Sequence, residues 1–127
     1  MPDPILSDNL HGIIDSIELV TVRFSKVSQA DDFVNSTDGS LLLDSICMRL
    51  QIIGELVKKI HKNNPEIFSA FPQIEWSNIM KLRDIISHHY EHVDYELIYD
   101  ICKNHIPPLK KIIQQIFSKI WILIIAL

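Results

Sequence analysis

The chain has 127 residues, 47% of them hydrophobic, and only 3 glycines. That length allows one core and is too short for two ordinary domains, and the apolar, glycine-poor make-up excludes a disordered chain. A formal net charge of −4 and a pI near 5.8 exclude a generally basic protein, so any nucleic-acid site must be a local concentration of cations.

No basic segment followed by an apolar one opens the chain, so no secretion signal is expected. The first helix is expected from about Leu6 to Val27. Its apolar residues Leu6, Leu10, Ile13, Ile17, Val20, Phe24 and Val27 alternate steps of four and three, which makes a seam for antiparallel packing. A polar break follows from Ser28 to Asp38. The same alternation then runs through Leu43, Ile46, Leu50, Ile53, Val57 and Ile60, with Ser40 or Thr37 as the cap and Asn63-Asn64-Pro65 as the stop. Two such seams predict a helical hairpin. Gly54 lies inside the second helix, where it costs about 1 kcal/mol relative to Ala, and its presence predicts close packing by another helix. Glu55 beside it reads equally as a catalytic group or as a cap or salt-bridge partner. Cys47 and Cys102 lie in apolar helical patterns and read as buried, reduced thiols of a cytoplasmic protein.

Pro65 to Trp76 carries two prolines and several aromatics, which predicts a turn-rich segment packed on the hairpin. A third helix is expected from Asn78 to His88 or His89, capped by Ser77. Asp94 is the expected N-cap of a fourth, and Pro107-Pro108 should kink or break the chain before a C-terminal helix. That last helix carries Ile112, Ile113, Ile116, Phe117, Ile120, Trp121 and Ile124 at helical spacing. Its apolar end, about 121–127, is too short to span a bilayer, which needs about 20 apolar residues. Burial in the domain or against a second copy is the expectation for it, with no stable membrane association. Nothing alternates with period two for long enough to form a strand, so the fold class is all-α, a single domain over 1–127.

The chemistry concentrates in Arg83-Asp84-Ile85-Ile86-Ser87-His88-His89-Tyr90. On a helical wheel Ile79, Leu82, Ile85, Ile86 and His89 share a core arc, and Arg83, Asp84, Ser87 and His88 share the opposite one. An Arg fixes a phosphate and a His moves protons near neutral pH. Asp84 and His88 are four apart, so the carboxylate is placed to orient the imidazole, fix its tautomer and raise its pKa. Arg83 lies about 140° from His88 on an ideal helix, which a two-fold dimer overcomes more easily than one copy does. Tyr90 falls at or beyond the helix end, placed to bind a base or phosphate or to receive a modifying group. His88, His89 and His92 also admit a metal site, but no further Cys/His ligand set accompanies them.

Leu50–Ile60 (LQIIGELVKKI), Phe71–Tyr90 (FPQIEWSNIMKLRDIISHHY) and the run from Val93 through Asn104–Ile113 (NHIPPLKKII) resemble the HepT-type HEPN proteins. These are the toxin halves of MNT–HEPN toxin–antitoxin pairs, and the likeness covers about Leu41 to Phe117. The resemblance implies an up-and-down bundle of four main helices plus short helical segments. It also implies a metal-independent endoribonuclease, active as a homodimer with a composite cleft and needing no cofactor. The family's Arg falls on Arg83, its His on His88 and its Tyr on Tyr90. Its following polar residue, more often Asn, falls on Asp84. The implied chemistry has the RNA 2′-OH attack the adjacent phosphate, with His88 as base or acid and Arg83 stabilising the developing charge. The implied partner is an MNT-type nucleotidyltransferase antitoxin that transfers AMP from ATP to Tyr90, as in type VII-like pairs. Transfer RNA and messenger RNA both stay open as the substrate, because the shape and charge of the dimer cleft would set the choice. The rival expectation is a non-catalytic HEPN module that binds nucleotide, RNA or a nucleotidyltransferase.

Overall fold

The computed structural model describes residues 3–88 and 93–126, with side chains except at 88 and 123–126. It is 83% helical, with no strand among the described residues, and has the all-α architecture of a HEPN-type bundle. In chain order the elements are α1 (Pro4–Phe24), a 3₁₀ turn (Ala30–Phe33), α2 (Thr37–Asn63), α3 (Pro65–Ser69), α4 (Trp76–Met80) and α5 (Leu82–His88). Then come α6 (Tyr95–Asp100), a π turn (Ile101–His105) and α7 (Ile106–Ala126).

The α1–α2 hairpin is the frame. Leu10, Ile13, Ile17 and Val20 of α1 and Ile46, Leu50, Ile53, Val57 and Ile60 of α2 are almost wholly buried, so both three–four seams face the core. Asp3 caps α1, its carboxylate accepting a hydrogen bond from the Ile5 N–H at 2.9 Å, and Pro4 occupies the first turn, where no amide partner is lost. The helix stops at Phe24, three residues before the expected Val27. The Lys26 and Val27 amides bond three residues back instead of four, which tightens the chain into turns, yet Val27 stays buried. The cap of α2 is Ser36, whose hydroxyl accepts from the Gly39 N–H at 3.0 Å. The expected caps Thr37 and Ser40 already lie inside the helix, because Ser36 is the last residue with extended backbone. Asn64 and Pro65 end α2 as expected, and Pro65 opens α3.

The polar break between the helices hides a core residue. Phe33 is fully buried at the end of the 3₁₀ turn. The Asp32 carboxylate holds that turn by accepting from the amides of Ser28 at 2.8 Å and Gln29 at 3.2 Å. Two tyrosines of α6 fasten it from the other side, with the Tyr95 hydroxyl on the Asp31 carboxylate at 3.3 Å and the Tyr99 hydroxyl on the Ser28 carbonyl at 3.1 Å. The neighbouring Asp31 charge holds the Tyr95 phenol above its ordinary pKa.

Asp94 caps α6 as expected, accepting from the Leu97 N–H at 3.1 Å. The proline pair does not break the chain. The π turn precedes it, with the Ile106 N–H bonded to the Ile101 carbonyl five residues back. Its wider turn takes up Pro107, which has no N–H to give and whose ring would crowd a carbonyl in a regular α-helix. In α7, Leu109, Ile113 and Ile116 are buried and Ile120 is partly buried. Trp121 and Ile122 are 47% and 64% exposed, so the described part of the apolar end projects from the fold instead of packing into it. No helix among the described residues is long and apolar enough to cross a membrane.

Both cysteines are buried and unbridged, and burial pushes each thiol up to about 12. They are inert core groups at neutral pH.

Gly54 is the point of closest approach between α2 and the segment that carries Arg83. A Cβ at Gly54 would stand 2.8 Å from the Ile79 carbonyl oxygen and 3.3 Å from the Leu82 Cβ. Gly54→Ala should therefore destabilise the protein by about 1–3 kcal/mol through overpacking, although Ala gains about 1 kcal/mol in helix propensity. Urea denaturation measures the balance, and unchanged or higher stability would refute the close-contact account.

Candidate functional site at the α2–α5 contact

The segment bearing the Arg and His enters the fold through Trp76. Its indole N–H donates to the Phe71 carbonyl at 3.0 Å, and its ring stacks on Phe68 with centroids 4.0 Å apart. The third helix is not continuous as expected. Lys81 separates α4 from α5, its amide bonding back to the Asn78 carbonyl, three residues away, at 3.2 Å. The start also differs: Glu75, not Ser77, is the cap position, and its carboxylate accepts from the Asn78 side-chain amide at 2.9 Å. The bend at Lys81 lets α4 and α5 each lie against α2.

On α5, Leu82 and Ile86 are buried, while Arg83, Asp84 and Ser87 are exposed. Among the side chains described, the two arcs of the wheel are present, with one exception. Ile85 is 36% exposed, because the short helix meets α2 along Leu82 and Ile86 and leaves Ile85 at the edge of the contact. Arg83 sits directly above the Gly54 approach, its backbone nitrogen 3.6 Å from the position of a Gly54 Cβ. From there its guanidinium Nη1 donates to the Glu55 carboxylate at 2.6 Å. The two side chains keep 58% and 48% of their surface exposed, so this is a solvent-facing charge pair. Of the two readings open for Glu55, the structure gives the salt-bridge partner. The sequence held a signal for it, since a glycine that admits a second helix also brings its neighbour within reach of that helix.

His88 is the last residue of α5, four positions after Asp84. Its side chain, and with it the Asp84–His88 hydrogen bond, lies outside the described residues. So do Tyr90, His89 of the expected core arc, and His92 of the admitted metal set. Among the described residues no cluster of three or more His, Cys, Asp or Glu side chains has metal-site geometry. What the geometry delivers is an exposed cation fixed on a short helix, next to a carboxylate from α2, with a His at that helix's end.

Comparison with known proteins bears on this arrangement. The family model of HepT-like ribonucleases matches residues 13–116, which include α2, α5 and the Arg83–Glu55 pair. The chain belongs to the HepT-like ribonuclease family. It is 31% identical to a Methanocaldococcus jannaschii protein named "putative RNase", over 94% of this chain and 93% of that one. It is also 32% identical to a second protein of that organism, named as a gamma-glutamylcyclotransferase and "putative RNase"; here the match covers 87% of the chain but 47% of the relative, so the chain spans about half of that protein's length. A "probable ribonuclease HepT" of Thermococcus cleftensis is 31% identical over 81% of the chain and 87% of its own length. No solved structure matches the chain significantly. The HepT-like match ends close to Phe117, and Trp121 to Leu127 lie beyond it.

Proposed function

We propose that this HepT-like protein is a metal-independent endoribonuclease, the toxin of a type VII-like toxin–antitoxin pair, acting in the cytoplasm. The observation that carries the reading is Arg83, an exposed cation held in place on the same short helix as His88, inside the family match. In the proposed reaction His88 takes the proton of an RNA 2′-OH as its oxygen attacks the adjacent phosphorus. The bond to the 5′-oxygen breaks, and a proton is returned to that leaving oxygen. Arg83 stabilises the charge gathering on the phosphoryl oxygens, and Asp84 orients His88 from one turn back. No cofactor enters this scheme.

A homodimer is part of the proposal. Leu41 and Met48 are 61% and 55% exposed, and with Glu55 they recur every seventh residue along one side of α2. Exposed apolar side chains leading up to the Arg83–Glu55 pair fit a two-fold contact that brings both sites together. The proposed second partner is an MNT-type nucleotidyltransferase antitoxin. AMP on Tyr90, two residues after His88, would place bulk and negative charge where RNA phosphates must approach.

Induced expression should arrest growth, and the purified protein should cut transfer or messenger RNA in the presence of chelator. Arg83→Ala and His88→Ala should each slow cutting by at least about 100-fold. Folded variants that cut at the wild-type rate would remove the catalytic assignment. RNA binding with no cutting by any form would return the protein to the non-catalytic module. Joint Leu41→Asp and Met48→Asp substitution should give a monomer in analytical ultracentrifugation and abolish cutting; an active monomer would sink the composite cleft. Incubation with the neighbouring nucleotidyltransferase and ATP should add AMP to Tyr90, read by intact mass and peptide mapping. An active transferase that leaves Tyr90 unmodified would exclude that mode of neutralisation.

A further inference from the structure

We propose that Glu55 is a positioning residue for Arg83, holding its guanidinium in the orientation that meets the phosphate during cleavage. This rests on the ribonuclease reading above and assigns a role to a residue on a different helix from Arg83 and His88.

Three observations lead here. The contact is short, 2.6 Å from Nη1 to Oε1, and it joins residues 28 apart in sequence. Both side chains are about half exposed, and an exposed pair of this kind contributes little to stability, so the fold does not depend on it. Yet the chain keeps a glycine in the middle of α2 immediately before Glu55, and that glycine lets the backbone of α5 come close enough for the pair to form. Arg is a long side chain whose freedom must be lost before it can bind a phosphate in one geometry. Glu55 removes that freedom in advance. Its bond occupies Nη1 and leaves the other N–H groups of the planar fork for a phosphoryl oxygen.

The arrangement has a cost that makes it testable. A carboxylate beside the bound phosphate repels it, so Glu55 weakens RNA binding while improving catalysis. A group kept only for the fold has neither signature. Removing the Glu55 charge should therefore separate rate from affinity, and the effect should vanish once Arg83 is gone.

The test uses the full chain as wild type, Glu55→Gln, Arg83→Ala and the double variant. Cutting of total cellular RNA is followed under single-turnover conditions, and binding is measured on a 2′-O-methyl RNA oligonucleotide, which keeps its phosphates but has no 2′-OH to attack. E55Q should cut roughly 10- to 100-fold more slowly, with unchanged thermal midpoint. It should bind the oligonucleotide as tightly as wild type or more tightly, with a steeper salt dependence from the unneutralised Arg83. In the double variant E55Q should add no further loss to R83A, as for two residues acting as a unit. Wild-type or faster cutting by E55Q overturns the proposal, as does a loss that persists undiminished in the R83A background. A parallel fall in midpoint, affinity and rate would make Glu55 structural and also overturn it. If R83A itself cuts like wild type, the ribonuclease role of Arg83 fails and the Glu55 proposal fails with it. Full-rate E55Q beside an impaired R83A removes Glu55 alone.

Discussion

The contact on which the site depends is the backbone approach at Gly54. Hydrophobic burial alone holds helices 8–10 Å apart at their axes, the distance set by the side chains between them. At Gly54 no side chain intervenes, and the Ile79 carbonyl and the start of α5 settle onto α2. Leu82 and Ile86 close the contact from the α5 side, and Arg83 emerges at its rim within bonding distance of Glu55. A larger residue at Gly54 would keep most of the hydrophobic burial and still displace the cation. Packing and chemistry are therefore linked at one glycine.

Electrostatics sharpen the point. The chain carries 16 acidic against 12 basic side chains, so its overall field does not attract RNA. A cation that works in such a field depends on where it is held, and Arg83 is held by a neighbour of opposite charge. The pair lies at the surface, where water and salt screen it, which leaves the guanidinium free to exchange part of its hydrogen bonding with a phosphate. Buried deeper, the same pair would be more rigid but unable to make that exchange without a large desolvation cost.

Much of this was legible in the residues. The two seams of α1 and α2 appear in the sequence as alternating steps of three and four, and nearly every seam residue is buried, because long periodic patterns average out local irregularity. Asp94 as a cap, Asn64-Pro65 as a stop and Gly54 as a close contact were also readable, each from one residue's intrinsic geometry. What escaped depends on competition between neighbours. Ser36 takes the cap from Thr37 and Ser40 because of where the preceding turn ends, and that turn is set by Phe33, a single buried aromatic in a polar run with no period to reveal it. The break at Lys81 is invisible in composition, since nothing near it disfavours helix. The Arg83–Glu55 bond crosses from one helix to another, so Gly54 signals that Glu55 meets a second helix but not that Arg83 is its partner. The motif itself was plain, but its chemistry is proposed from residue types and family, since the side chain of His88 and all of Tyr90 lie outside the described residues.

The π turn before the proline pair also sets a phase. In α6 and the turn the buried residues are Ile98, Ile101 and Cys102, and a regular α-helix would next bring His105 to the core. Instead His105 is exposed, and Ile106 and Leu109 are buried. The extra residue in the wide turn moves the apolar stripe along by one position, a rotation of about 100°. Without it His105, seven residues after Ile98, would fall on the core side in place of Ile106. The entry of α7 is thus indexed to α6 by a single residue, so an insertion or deletion within Ile101–His105 would rotate Ile106 out of the core.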